Sequence, residues 1–138
     1  MSALRSSARS MVIQEGGGAG HGSGLEVLEL DLGEAAGVAV RGELELATAT
    51  ELSAALDEAI RSTQGPFVID LSNVGFLDSS GIACLMRARA LLGRDDRVLG
   101  LICPPGSTRR ALEITGVDEL VALYGSRDEL DARRRPTA

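Results

Sequence analysis

Three observations predict a single α/β domain, with a mixed sheet of four or five strands and about four helices packed mainly on one side. LEVLELDL largely alternates apolar and acidic residues, and AAGVAVRGEL, after a short turn at Gly33, reads as its hairpin partner. Further along, the short apolar runs FVIDL, RVLGLIC and LVALY alternate with helical patterns, which is the signature of βαβ units. The length of 138 residues suits one domain, and because Phe67, Phe76 and Tyr124 are the only aromatics its core must be aliphatic. The expected order is β-β-α-β-α-β-α-β-α, with right-handed crossovers.

Residues 1–24 run from Ser, Arg and Ala into glycines, a composition that buries too little apolar surface to offset chain entropy. They are expected to form a flexible Gly-rich tail, with the domain spanning residues 25–138. The tail's glycines fit no GxGxxG register, which excludes a dinucleotide fingerprint.

After the hairpin, TATELSAALDEAIR has capping-box spacing at Thr48 and Glu51, and Leu52, Ala55, Leu56, Ala59 and Ile60 make one helical stripe. Gly65-Pro66 interrupts, and FVIDL follows as a central strand. Beyond Gly81, Ile82, Leu85, Met86 and Leu92 fall near one helical face, with Arg89 intruding at its edge. RVLGLIC is a buried strand, Pro104-Pro105-Gly106 a break, and STRRALEIT a short helix that Gly116 is placed to end. After the strand LVALY, Ser126 and Glu129 repeat the capping-box spacing before a last helix whose Arg133 and Arg134 complement its carbonyl end. The cluster Arg133-Arg134-Arg135 reads as a solvated helix end.

Composition also excludes function classes. A net charge of −6 argues against non-specific binding to nucleic acid or an anionic membrane. The 14 basic residues are all Arg, which removes phosphate-loop, Schiff-base and kinase-type lysines. Cys84 and Cys103 lack CxxC spacing and are expected to be small buried thiols, without a zinc site. The one histidine, His21, lies in the glycine-rich segment, so no Ser-His or Cys-His pair can be drawn within the domain. No apolar run reaches the roughly 18 residues needed to cross a bilayer. A cytoplasmic protein without cofactor or metal is expected.

The stretch VGFLDSSGIACLMRARA carries the candidate site. A strand-like run stops at Asp78-Ser79-Ser80-Gly81 and restarts with helical spacing. That places two hydroxyls where a sheet's strand end meets a helix N-terminus, a position that favours negative charge. On physics alone, Ser79 or Ser80 could simply cap the helix, with Asp78 complementing the dipole and Gly81 keeping the turn tight. A phosphate-accepting serine is the functional alternative.

Two further stretches bear on that choice. GELELATATEL, LSNVGFLDSSGIACL and RRALEITGVDEL resemble, in order and spacing, the STAS domain family, and within it the bacterial anti-sigma factor antagonists. The resemblance extends from Leu25 to about Arg134. It implies a non-enzymatic switch whose unmodified form binds an anti-sigma factor, itself a serine kinase, and so releases a sigma factor. Phosphorylation by that kinase ends the binding, and a phosphatase resets it. The family pattern places the acceptor on Ser79, with Ser80 as second choice and structural cap. It also implies partner contacts at Asp78, Ser79, Ser80, Gly81, Ile82 and Glu45. Glu45 departs from the family's usual GELD and carries its carboxylate one methylene further out. A monomer is expected when free.

Two alternatives remain at this point. One is a STAS-like adaptor or small-ligand or nucleotide-binding module that accepts no phosphate. The other is an enzyme with Ser79 as nucleophile and Asp78 as orienter; Glu43, Glu45 and Asp70 are then its only bases, and none is paired recognisably.

Overall fold

The computed structural model describes residues 7–10 and 24–134. Its strands are β1 (Ser7–Ser10), β2 (Leu25–Leu32), β3 (Ala35–Leu44), β4 (Phe67–Leu77), β5 (Leu99–Ile102) and β6 (Ala122–Tyr124). The helices are α1 (Leu46–Arg61), α2 (Ser79–Gly93), α3 (Ser107–Ile114) and α4 (Arg127–Arg134). All strands join one sheet in sequence order, with β1, β2 and β3 antiparallel in turn and β3 to β6 parallel. The mixed α/β sheet expected from the sequence is therefore present in β2–β6.

The expected tail needs one correction. Residues 7–10 add a strand at the β2 edge, where Ser7 opposes Asp31 and Ser10 opposes Leu28. His21 and the rest of the tail, like Arg135, lie outside the described residues.

Strand order dictates where the helices go. Each parallel crossover steps in the same direction across the sheet, so right-handed connections put α1, α2 and α3 on one face. There Val38, Val40, Ile69 and Leu101 of the sheet meet Leu52 and Leu56 of α1, Leu85 and Leu92 of α2, and Leu112 of α3. Each such fully buried aliphatic contributes about 1.5–3 kcal/mol. The second face holds Leu30, Ala39, Val68 and Ile102, covered in part by Leu130 of α4.

Polar clamps hold these layers. Arg97 donates to the carbonyls of Gly65 (2.7 Å) and Ile60 (2.8 Å) and to Thr63 Oγ1 (2.9 Å), so one guanidinium satisfies the carbonyl end of α1. On the second face the buried Asp70 accepts from Arg127 Nε at 2.9 Å and from the Ser72 N–H at 2.9 Å, which ties α4 to the sheet. Arg87 bridges α2 to Asp57 of α1 at 2.8 Å, and that hydrogen bond raises its pKa further.

Local expectations were met unevenly. Gly116 ends α3 in the left-handed region at φ 82°. The Ser126–Glu129 box forms in modified shape: Ser126 Oγ accepts the Glu129 N–H (3.0 Å), and Glu129 reaches back to the Gly125 N–H (2.6 Å). That backbone hydrogen bond from Gly125 is the main cause of a lowered Glu129 pKa. The Thr48–Glu51 box does not form, because α1 starts earlier, at Leu46 with Glu45 as N-cap. Thr48 Oγ1 instead accepts the Glu45 N–H at 3.2 Å and donates to the Glu43 carbonyl at 2.6 Å.

Candidate functional site

The C-terminal ends of β3 and β4 form the platform. Leu44 pairs with Leu77, and the next residues, Glu45 and Asp78, are the N-caps of α1 and α2. Parallel neighbours lie about 4.8 Å apart, so two helix N-termini open side by side on one edge. A backbone bond from the Asp78 N–H to the Leu44 carbonyl (3.0 Å) locks this arrangement.

Asp78 is the cap, in place of the expected Ser80. Its backbone is extended, and Oδ1 accepts the N–H groups of Ser80 at 2.8 Å and Gly81 at 3.2 Å. Ser79 and Ser80 are therefore the first two helical residues. Ser79 is exposed and its hydroxyl makes no hydrogen bond to a described residue; Ser80 is half-buried. The cap relieves Ser79 of any structural duty and leaves its oxygen outward.

Gly81 is buried. A Cβ there would lie 2.6 Å from the Leu44 carbonyl oxygen and 2.8 Å from Leu77 Cδ1, so the residue is set by close packing. Ile82 is half-buried and packs against the core. Of the six residues singled out in sequence, the structure gathers Glu45, Asp78, Ser79 and Ser80 at the surface of one edge, with Gly81 and Ile82 as their support.

Sequence reasoning missed two members of this surface. Leu46 is 78% exposed and Phe76 is 49% exposed, and both flank the capping residues. The register of β4 against β3 shifts twice before Phe76, between Ala39 and Arg41 and between Gly42 and Glu43, an irregularity that simple alternation does not show.

Catalysis finds no support in the geometry. Asp70 is occupied by Arg127 and Ser72, and neither Glu43 nor Glu45 makes a hydrogen bond to Ser79. Cys84 is buried between α1 and α2, accepting from Ser53 and donating to the Ala49 carbonyl. Among the described residues no group of acids, Cys and His is arranged to hold a metal, and no helix is long and apolar enough to cross a membrane.

Comparison with known proteins bears directly on this site. A family model described as "Mlab, STAS domain" matches residues 27–122. The chain belongs to the STAS domain family. Among curated relatives, the anti-sigma-F factor antagonist RsfB of Mycobacterium tuberculosis is 30% identical over 89 residues, which is 64% of this chain and 72% of that protein. The anti-sigma-B factor antagonist of Staphylococcus aureus is 29% identical over 84 residues, 61% of this chain and 78% of that one. Among solved structures, an anti-sigma factor antagonist from Mycobacterium paratuberculosis superposes with a TM-score of 0.72 at 32% identity, covering 80% of this chain and 95% of that one. Unphosphorylated SpoIIAA shares the fold, with a TM-score of 0.64 at 17% identity over 83% of this chain and 99% of its own. This STAS chain thus carries its DSSG turn at the C-terminal edge of a sheet whose architecture these proteins share.

Proposed function

We propose that this STAS protein is an anti-sigma factor antagonist, a binding regulator and not an enzyme, switched off by phosphorylation of Ser79. Its partners on this reading are an anti-sigma factor with serine kinase activity and a phosphatase, all in the cytoplasm. The observation that carries the reading is the Ser79 hydroxyl: exposed, without a hydrogen-bond partner among the described residues, at the first residue of α2. The names of the relatives support it.

The surface around Ser79 suits protein binding. Leu46 and Phe76 supply exposed apolar anchors, while Glu45 and Asp78 supply charge at the rim. A phosphate would add about −1.5 to −2 charge to this edge. Because Asp78 already takes the Ser80 and Gly81 N–H groups, the phosphate finds those donors occupied and projects towards the partner. Placing it in a desolvated interface beside two carboxylates opposes binding by a few kcal/mol, and every 1.4 kcal/mol is about tenfold in affinity. No refolding of the antagonist is required.

The test is to isolate the protein from its native host in growth and in stress and map phosphate by intact mass and peptide sequencing, beside Ser79→Ala and Ser80→Ala strains. Phosphate on Ser79 that varies with condition supports the switch. Phosphate on Ser80 moves the acceptor by one residue, and its absence under every condition returns the protein to the class of unmodified STAS adaptors.

A further inference from the structure

A cavity of about 700 Å³ lies at the opposite end of the domain, below the N-terminal ends of β4 and β5 and against the last turn of α2. That size is within the range of small-molecule sites, about 300–1,000 Å³. Val68, Leu99, Gly100, Ala122 and Leu130 line its interior, and Val98 and Leu120 its mouth. Those last two are among the few large apolar side chains left exposed, at 65% and 53%.

The polar part of the lining is narrow in kind. Among the described lining residues the only charges are Arg89 and Arg97, and the only other polar side chain is the Tyr124 phenol. In a chain of net charge −6, the described lining of this cavity has two guanidiniums and no carboxylate. Arg97 is held in place by its three hydrogen bonds to the end of α1 and the following loop. Arg89 donates through Nε to the Leu120 carbonyl at 3.1 Å, and its terminal nitrogens have no partner among the described residues. This is the arginine that interrupts the apolar stripe of α2.

The lining also selects against other ligands. Sugars and nucleotides need acceptors and donors for their hydroxyls and base edges, and no Asp, Glu, Asn, Gln, Ser or Thr side chain lines the cavity. An aliphatic body needs none of these, and a carboxylate head suits the fork of an arginine.

We propose that this cavity binds an amphipathic carboxylate, with its aliphatic chain between Val68, Leu99 and Leu130 and its head group on Arg89. The site is remote from Ser79, since its α2 residues Arg89 and Gly93 lie about 15 and 21 Å further along the helix at 1.5 Å per residue. It does not depend on the phosphorylation reading, and Ser79→Ala binds the same ligand equally.

The test is calorimetric titration of the full chain with sodium dodecanoate below its micelle threshold, with dodecyltrimethylammonium as a cation of the same chain length. Saturable one-to-one binding of dodecanoate is expected, weakened at least tenfold by Arg89→Glu and abolished by Ala90→Trp, which fills the mouth. Arg89 is exposed, so Arg89→Glu remains informative even if Ala90→Trp does not fold. Sedimentation with phosphatidylglycerol vesicles, whose anion is a phosphodiester, tells the head groups apart: dodecanoate binding without capture supports the carboxylate, and capture that Arg89→Glu abolishes, without dodecanoate binding, overturns it in favour of a lipid phosphate. No saturable binding, equal binding of the cation, or an unchanged affinity in Arg89→Glu overturns the proposal. Binding that appears only after removal of residues 135–138 overturns it too, and makes that segment the occupant.

Discussion

A Cβ on residue 81 would lie 2.6 Å from both the Cβ and the carbonyl oxygen of Leu44, so α2 begins against β3 with no space for a side chain. Gly81→Ala gains helix propensity but must push backbone apart. Overpacking of this kind costs about 1–3 kcal/mol. The expected result is a lower urea midpoint with unchanged m-value, together with weaker binding to the anti-sigma partner because Ser79 moves with the helix.

Asp78 links stability to the site. Asp78→Ala removes the acceptor for two N–H groups and is expected to lose about 0.5–2 kcal/mol in chemical denaturation. Asp78→Asn keeps an acceptor oxygen and is expected to recover most of that loss, since Asn and Asp cap about equally well.

At Ser79 stability and binding separate. The side chain is exposed and makes no hydrogen bond to a described residue, so Ser79→Ala and Ser79→Asp should each unfold within about 0.5 kcal/mol of the parent. In a pull-down or titration with the anti-sigma factor, Ser79→Ala binds as the parent does and Ser79→Asp binds at least tenfold more weakly. Equal binding by both variants would remove the switch.

The ion pair on the second face gives a purely structural contrast. Arg127→Ala leaves the buried Asp70 carboxylate with only the Ser72 N–H among its two partners, at a cost of about 1–3 kcal/mol. Asp70 and the Ser79 edge share no hydrogen bond, so partner affinity is expected to be unchanged when measured well below the unfolding midpoint.

Cys103 provides a pH signature. Burial pushes its thiol pKa up, outweighing the Arg109 guanidinium that lowers it. The thiolate is therefore scarcer in the folded protein than in the unfolded chain at the same pH. Its contribution to stability is complete below the ordinary cysteine value of about 8.5 and is lost as pH rises through the raised value. Iodoacetamide labelling of native protein should be slow at pH 8 and become fast in denaturant, as read by mass spectrometry.

Much of this was legible in the sequence, and the exceptions have physical causes. Element order followed from apolar period and glycine punctuation, because burial on one or two faces imposes those patterns directly. Cap positions were less legible. Thr48 has the spacing of a box with Glu51, yet its hydroxyl goes to Glu43 and Glu45, and Ser80 lies two residues past the true cap, Asp78. Several short polar side chains in a row can each cap a helix, and tertiary contacts such as the Asp78–Leu44 hydrogen bond choose among them. The DSSG turn was found from its residues, whereas Leu46 and Phe76 owe their exposure to how α1 and the end of β4 are oriented. Strand β1 was missed because Ser7–Ser10 has no apolar alternation; it is recruited by backbone pairing to the free edge of β2.

Sequential strand order has a kinetic consequence. Every strand pairs only with its neighbour in the chain, so each new pairing closes a loop no longer than one crossover. Contact order is thereby kept low for a sheet that is largely parallel. The edge carrying Glu45 and Ser79 needs only β2, β3, α1, β4 and α2, so it can take shape before β6 and α4 have been synthesised. The C-terminal quarter then closes the far face without rearranging what the partner meets.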